Sequence, residues 1–223
     1  MKKNILITTL FLLIGLTTVQ AQFGIGLTTG GDVYQRYANP RIDGDSSYRS
    51  SGNVLLNSSI GPKIWIGSRR FSFSIETKIN FGMTALNLRE YKGMGAMAFP
   101  IMAHLNFNGL SGFAGSGYTS GFAIGGGIQY NRTELYKTTN EFKYLNRKFF
   151  PTYVAEFKTG AGFGSGITLD FYTRFGLGYD EDGFNGANSL NIGISASFNI
   201  TELRKKGRSR KKQPSPGDTK IQQ

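Results

Sequence analysis

Phe71-Ser-Phe-Ser-Ile-Glu-Thr-Lys-Ile-Asn-Phe81 is the stretch of the sequence that decides the fold. Apolar side chains occupy every second position except Thr77, and serine, glutamate, lysine and asparagine fill the positions between them. Because a β-strand points successive side chains to opposite faces, this stretch predicts a strand with one apolar face and one polar, charged face. A closed sheet with lipid outside and polar residues inside satisfies such a pattern in a bilayer.

The same alternation recurs in seven other segments, so the sequence predicts eight strands. Most of them have a length near the roughly 9–11 residues that a tilted strand needs to cross the hydrocarbon layer. The predicted strands are Phe23–Val33, Val54–Ile66, Phe71–Thr84, Met97–Phe107, Gly117–Tyr130, Pro151–Ala161, Ile167–Tyr179 and Asn188–Phe198.

The connections between these strands alternate between long and short. Outer-membrane barrels have long external loops, short periplasmic turns and an even number of strands. The predicted fold class is therefore all-β, an eight-stranded antiparallel up-and-down transmembrane β-barrel. A count of ten remains open, since residues 131–150 are long enough for a hairpin of their own, although their charges favour an extension of the fifth and sixth strands above the membrane.

A soluble β-sandwich or a lipocalin-like barrel would show the same alternation, with its apolar face turned inward to form the core. The direction of the two faces therefore separates a soluble protein from a membrane protein. An N-terminal signal peptide, the alternating loop lengths and Phe198 at the end of the last strand favour the membrane. The predicted location is the cell outer membrane.

The two ends of the chain differ from the strand region in composition. Residues 1–21 predict a cleaved signal peptide, with Lys2 and Lys3 before an apolar run and Val19-Gln20-Ala21 as the cleavage site. Residues 22–199 form the predicted barrel. Residues 200–223 carry eight basic and two acidic residues, a net charge of +6. Such a charge-dense segment predicts a disordered periplasmic tail, and nucleic-acid binding is a poor explanation for it in an exported chain.

The closing segment Ser189–Phe198 alternates and ends in phenylalanine. On this segment and on the overall pattern, residues 22 to about 199 resemble the small outer-membrane barrels of the OmpX and OmpA-domain type and short barrel proteins of the Bacteroidota. The resemblance implies a monomer that contacts outer-membrane lipids and lipopolysaccharide and is inserted by the barrel-assembly machinery. The 25 residues from Asn199 are too few for the folded periplasmic domain of OmpA-type proteins. They are either solvated or in contact with anionic lipid headgroups.

Seven charged residues fall on the inward faces of the predicted strands, and we expect them to form a charge network in the lumen. An eight-stranded barrel is just wide enough for side chains to fill it, and buried charges are tolerated when they are paired. We therefore expect the acidic residues to pair with the basic ones in a plug instead of lining a conducting pore. The residues are Lys63, Glu76, Lys78, Glu156, Lys158, Asp170 and Arg174.

No motif in the sequence predicts catalysis, a cofactor or a metal site. The single histidine, His104, lies on the inward face of the fourth strand, and a packed or hydrogen-bonded role is favoured over a catalytic one. One histidine without cysteine does not indicate a transition-metal site. The cluster Gly125-Gly-Gly127 lacks the lysine and the helix of a phosphate-binding loop, and instead relieves crowding within a strand.

The sequence predicts a non-enzymatic outer-membrane protein that supports the envelope or makes surface contacts through its external loops. A narrow porin-like channel for small solutes or ions is the first alternative. A lipid-modifying outer-membrane enzyme is the second. Ion conductance distinguishes the channel from the structural barrel, and a mass change in membrane lipids would reveal the enzyme.

Overall fold

The computed structural model describes residues 21–38, 53–54, 57–82, 97–113, 117, 119–132, 149–164, 166–178 and 186–211. The side chains of the last helix are described as far as residue 205. The predicted signal peptide lies outside the described residues except for Ala21, and the same holds for most of the external loops and for residues 212–223.

Eight antiparallel strands form one sheet in the described part of the chain, and the predicted strand positions are confirmed within a few residues. Strand β2 is preceded by a two-residue strand, Asn53–Val54, that continues its line, and β3 is interrupted at Lys78. The strands are β1 Gln22–Ala38, β2 Asn57–Gly67, β3 Phe71–Thr77 with Ile79–Gly82, β4 Met97–Asn108, β5 Thr119–Arg132, β6 Phe150–Gly162, β7 Ile167–Leu177 and β8 Asn188–Asn199.

The sheet closes on itself because β1 pairs with both β2 and β8. The β1–β8 pairing runs from Gly26 opposite Asn199 to Ala38 opposite Asn188. Strands β5 and β6 pair directly from Thr119–Gly162 to Asn131–Phe150, so no further strand lies between them in the described sheet. The structure is therefore an eight-stranded up-and-down barrel, and the ten-stranded alternative is wrong.

The two faces of the strands have the polarity that the membrane prediction requires. Large apolar side chains on the outer wall are exposed, among them Ile25, Phe73, Ile75, Ile101, Ile124, Phe157, Phe171, Phe175 and Ile192. The inner face is lined by buried polar groups, among them Thr28, Ser72, Ser74, Asn106, Gln129, Thr152, Ser195 and Ser197. A soluble barrel would have the reverse arrangement. The soluble alternative does not fit this structure.

The connection between β4 and β5 folds into the end of the barrel. Residues Gly109–Ser111 form a short 3₁₀ turn whose residues are buried, as is Phe113. The Ser72 hydroxyl donates to the Ser111 carbonyl over 2.7 Å, and the Asn199 amide donates to the Gly112 carbonyl over 3.0 Å. Gly112 has a φ of +78°, and a Cβ there would lie 2.7 Å from the Trp65 indole nitrogen. The sequence predicts only a short turn here, whereas in the structure residues 109–113, which we call the cork, pack inside this end of the barrel.

A helix, α1, follows the last strand and spans Ile200–Lys211. The predicted disorder from residue 200 is therefore wrong for these residues. The Asn199 side-chain oxygen accepts from the backbone N–H of Thr201 over 3.1 Å and of Glu202 over 3.4 Å, which satisfies two of the free donors of the first turn. Lys205 also donates to Glu202 over 2.6 Å. These contacts stabilise a helix that the charge density of the segment alone does not predict.

No helix in the described part of the chain is long and apolar enough to cross a membrane.

Candidate functional site

Strand register brings the predicted lumen charges to similar heights in the barrel. Lys63 on β2 lies opposite Glu76 on β3, and Glu156 on β6 lies opposite Arg174 on β7. All four positions face inward because they share the parity of the polar positions in their strands. Strand pairing alone therefore places two pairs of opposite charge side by side in the lumen, Lys63 with Glu76 and Glu156 with Arg174.

Glu76 is surrounded by three ammonium groups. Its Oε1 lies 2.8 Å from Lys158 Nζ and 3.1 Å from Lys78 Nζ, and its Oε2 lies 3.0 Å from Lys63 Nζ. The Glu76 side chain is 1% exposed, so water does not provide the solvation that this carboxylate loses. The three lysines take over that role, as a buried carboxylate requires.

Glu156 is the second centre of the network. Arg174 binds its Oε2 through Nε, over 2.6 Å, and through Nη2. Its Oε1 lies 2.8 Å from His104 Nε2 and 3.2 Å from Lys158 Nζ. Because Lys158 also contacts Glu76, its ammonium group joins the two carboxylates into one network.

The network extends along the lumen through neutral side chains. Arg174 Nη1 donates to Gln129 Oε1 over 2.8 Å, and the Gln129 amide donates to Asn131 over 2.6 Å. Asn131 in turn donates to the Thr152 hydroxyl over 2.9 Å. The guanidinium of Arg174 and the ammonium of Lys78 also lie over the Tyr172 ring, at 5.3 and 5.2 Å from its centroid. The cations of the network therefore contact an amide and an aromatic ring as well as the carboxylates.

Asp170 is the one predicted residue that the structure does not place in an ion pair within the described residues. Its Oδ1 accepts from the Ser195 hydroxyl on the neighbouring strand over 2.6 Å. A further buried carboxylate, Asp32, accepts from Tyr172 over 2.6 Å and from Asn191 over 3.0 Å. Asp32 is absent from the predicted set although it shares the inward parity of Thr28 in β1, which is the signal that would have found it.

The buried charges of the described barrel balance. Four cationic and four anionic side chains are 4% exposed or less, so their formal sum is zero with His104 counted as neutral. An uncompensated buried charge costs several kcal/mol. Equal numbers of both signs are therefore what allows so many ions to be buried in a lumen of this width. The eight residues are Lys63, Lys78, Lys158, Arg174, Asp32, Glu76, Glu156 and Asp170.

His104 is held as a hydrogen-bonding member of the network, and no nucleophile among the described residues contacts it. Its Nε2 contacts Glu156, and its Nδ1 has no hydrogen-bond partner. Ser74 lies directly opposite in the neighbouring strand, but its hydroxyl instead accepts from Asn106 over 3.0 Å. The His104 side chain is fully buried in the lumen, away from the outer wall, which is the side from which a membrane lipid would approach.

Glu76, His104 and Glu156 are close enough to share a metal ion, since one ligand atom from each lies within 4.8 Å of the others. Three lysines and one arginine already contact these two carboxylates. A cation placed here would meet four positive side chains with no carboxylate oxygen left free of them. The arrangement suits a closed ion-pair network better than a metal centre.

The contact between His104 and Glu156 depends on the absence of a side chain at Gly125. This glycine lies between them in register, opposite His104 on one side and opposite Glu156 on the other. A Cβ at position 125 would lie 2.2 Å from His104 Cδ2 and 2.6 Å from the Ala103 carbonyl oxygen. Gly125 therefore gives the imidazole the space in which it reaches the carboxylate.

We expect Gly125→Ala to lower the free energy of unfolding by about 1–3 kcal/mol, because the added methyl overpacks the lumen and displaces His104. Gly126→Ala is the matched control, since its Cβ would point outward and meet nothing closer than 3.4 Å. Denaturant unfolding of both variants in lipid vesicles measures the difference. Equal stabilities would contradict the role assigned to Gly125.

Comparison with known proteins gives similarity in fold alone. No protein-family model and no curated protein matches the sequence. The crystal structure of Neisserial surface protein A (NspA) has a TM-score of 0.44 at 9% identity, covering 80% of this chain and 98% of NspA. The N-terminal β-barrel domain of Pseudomonas aeruginosa OprF has a TM-score of 0.39 at 9% identity, covering 76% of this chain and 99% of that domain. Similarity at this level carries no inference about function.

Proposed function

We propose that this protein is an integral outer-membrane barrel without enzymatic or channel activity, which supports the envelope or makes surface contacts through its external loops. The observation that carries the proposal is the combination of an apolar outer wall with a lumen filled by a charge-balanced network. The wall suits lipid, and the inward side chains of the described strands are packed against one another instead of lining an open path for a solute.

The aromatic residues at the two ends of the wall support insertion in a bilayer. Phe71, Phe107 and Phe122 lie in a row on neighbouring strands at the end where the short turns lie. The Phe71 and Phe107 rings are tilted at a centroid distance of 5.4 Å, and the Phe107 and Phe122 rings stack at 4.6 Å. Phe99 and Phe149 pack at 5.4 Å near the opposite end. Aromatic girdles at both interfaces are typical of membrane barrels. A soluble monomer would rarely expose so large a continuous apolar surface.

The lumen argues against the channel alternative at two levels. The ion pairs around Glu76 and Glu156 occupy the middle of the barrel. Leu110 and Phe113 of the cork are buried at the end with the short turns. An eight-stranded barrel whose interior is filled by side chains leaves no aqueous channel.

The proposal is tested by conductance. We expect purified protein in planar bilayers to give no single-channel steps, because the network and the cork both obstruct the lumen. Heat-modifiable gel mobility of the same sample shows that the barrel is folded, and co-flotation with vesicles shows that it is inserted. Steady open-channel currents would establish the narrow pore instead, and a sample that stays in aqueous buffer without detergent would contradict the membrane assignment.

The external loops are the surface through which such a barrel can contact a protein partner, because its lumen is packed with side chains and its wall faces lipid. Residues 39–52 and 133–148 belong to two of the longer predicted loops. Replacing them with tight turns while keeping the strands separates the two roles in a gene-deletion strain. If the trimmed protein no longer restores the phenotype of the deletion strain, the protein acts by contact through the loops. If it still restores that phenotype, the barrel itself has the envelope role.

A further inference from the structure

A groove of about 560 Å³ lies between helix α1 and the outer face of β1. It is lined by Ile25, Ile200, Thr201, Arg204 and Lys205. The groove combines two apolar side chains, one hydroxyl and two cationic groups, and it is separate from the lumen network. Its position places it where the lipid-facing wall ends and the chain leaves the barrel.

The groove is fixed by the way in which α1 leaves the sheet. The last pair between β1 and β8 is Gly26 with Asn199, so the Ile25 N–H lies beyond the described β1–β8 pairing. The Thr201 hydroxyl accepts from this N–H over 3.2 Å and so takes the place of a strand partner. Asn199 caps the helix and also donates to the cork. The first turn of α1 is therefore tied to both the wall and the barrel end.

The floor of the groove continues the apolar wall. Ile25 is 51% exposed, and Phe23 and Leu27, which lie on the same face of β1, are exposed as well. Ile200 is also exposed and faces the groove from the helix side. A ligand resting on this floor would meet hydrocarbon below and cations above, which is the polarity of a lipid near its headgroup.

The cationic side is open to a ligand anion. Arg204 and Lys205 are adjacent and exposed, and Lys205 shares its charge with Glu202 at 2.6 Å. Guanidinium and ammonium groups both donate to phosphate, the former in a bidentate manner. A free phosphate ion would use these groups but would gain nothing from the isoleucines. The groove thus suits an amphiphile better than an ion.

We propose that this groove binds an anionic glycerophospholipid of the inner leaflet. Arg204 and Lys205 contact its phosphate, Thr201 lies beside the glycerol region, and Ile25 and Ile200 pack against the first carbons of an acyl chain. The inference rests on the proposed membrane insertion and adds a defined lipid site to it. Bound lipid would hold α1 against the membrane surface at the seam where β1 and β8 close the barrel.

The experiment compares two double variants of the full chain in detergent by native mass spectrometry with phosphatidylglycerol and with phosphatidylcholine. Arg204→Gln with Lys205→Gln removes the two groove charges. Arg69→Gln with Arg70→Gln removes two exposed charges from the β2–β3 turn at the same end of the barrel. At about 1 kcal/mol for each basic residue near an anionic headgroup, we expect roughly 30-fold weaker phosphatidylglycerol binding for the groove variant. Binding by the turn variant stays close to that of the unmodified protein.

The two variants distinguish a lipid site in the groove from general attraction of the lipid to positive charge. A selective loss in the groove variant, with phosphatidylcholine binding unchanged, supports the site. Equal losses in both variants indicate diffuse charge attraction and overturn it, as does unchanged binding in the groove variant. Heat-modifiable mobility verifies that both variants are folded. Failure of the unmodified protein to insert into vesicles would overturn the proposed function together with the site, whereas inserted protein without a phosphatidylglycerol preference overturns the site alone.

Discussion

Replacement of Glu76 by glutamine is expected to lower the free energy of unfolding by about 3–5 kcal/mol, the usual cost of breaking a buried ion pair by removing one partner. Glutamine keeps the size of the side chain but removes the charge that Lys63, Lys78 and Lys158 share. The four buried cations would then face three anions. Denaturant titration in lipid vesicles, read by the gel mobility of the folded barrel, measures the loss.

Two further variants identify the cause of that loss. Glu202→Gln removes a glutamate from a surface pair with Lys205 and should cost no more than about 1 kcal/mol. Glu76→Gln combined with Lys78→Met restores the charge balance of the lumen and should recover part of the stability. If Glu76→Gln costs no more than Glu202→Gln, the network does not stabilise the barrel. If the double variant is less stable than Glu76→Gln, packing around Lys78 matters more than charge.

The strands could be predicted because each of them faces two different solvents. In β7, Leu169, Phe171 and Phe175 are exposed on the wall, and Thr168, Asp170 and Arg174 are buried in the lumen. That two-residue period is visible in the sequence without any knowledge of the partners. Strand ends are less visible, because β1 continues to Ala38 beyond the predicted Val33, past a shift in register between Asp32 and Tyr34.

The members of the lumen network were predictable, but most of their contacts were not. The alternation of side chains along β6 shows that Lys158 faces inward. It does not give the position of Lys158 along the barrel axis or the strands that its side chain reaches across the lumen. Lys158 contacts Glu76, although β6 and β3 are separated by two other strands on the shorter side of the ring. Such contacts depend on the stagger of the closed sheet, which is a property of all eight strands together. Asp170 instead accepts a hydrogen bond from Ser195, which lies directly opposite it on β8.

The cork and helix α1 have no periodic signal in the sequence. The cork depends on one left-handed glycine, Gly112, and on hydrogen bonds from Ser72 and Asn199, which are remote in the chain. The start of α1 depends on the capping side chain of Asn199 and on the hydrogen bond from the Ile25 N–H to the Thr201 hydroxyl. Local composition predicts disorder for such a basic segment, and only the position of the barrel end supplies the partners that order it.

Replacement of Phe171 by arginine is expected to destabilise the barrel in a bilayer by about 2–4 kcal/mol, the cost of a basic side chain on the lipid face near the midplane. Phe171 is 58% exposed near the middle of β7, where it pairs with Ile194 of β8. Its loss removes little packing because the ring faces outward. The cost therefore reports the solvent that surrounds the wall, and unfolding in lipid vesicles measures it.

Phe23→Arg is the matched control for this solvent effect. Phe23 is 52% exposed, almost as much as Phe171, but it is the second residue of β1 and lies at the end of the wall. The same substitution there should cost about 0–1 kcal/mol, since an arginine at an interface reaches headgroups and water. If lipid covers the wall, the two costs differ by depth although the exposure is alike. Equal and small costs would mean that water surrounds Phe171, and the outward apolar wall would then need a partner other than lipid.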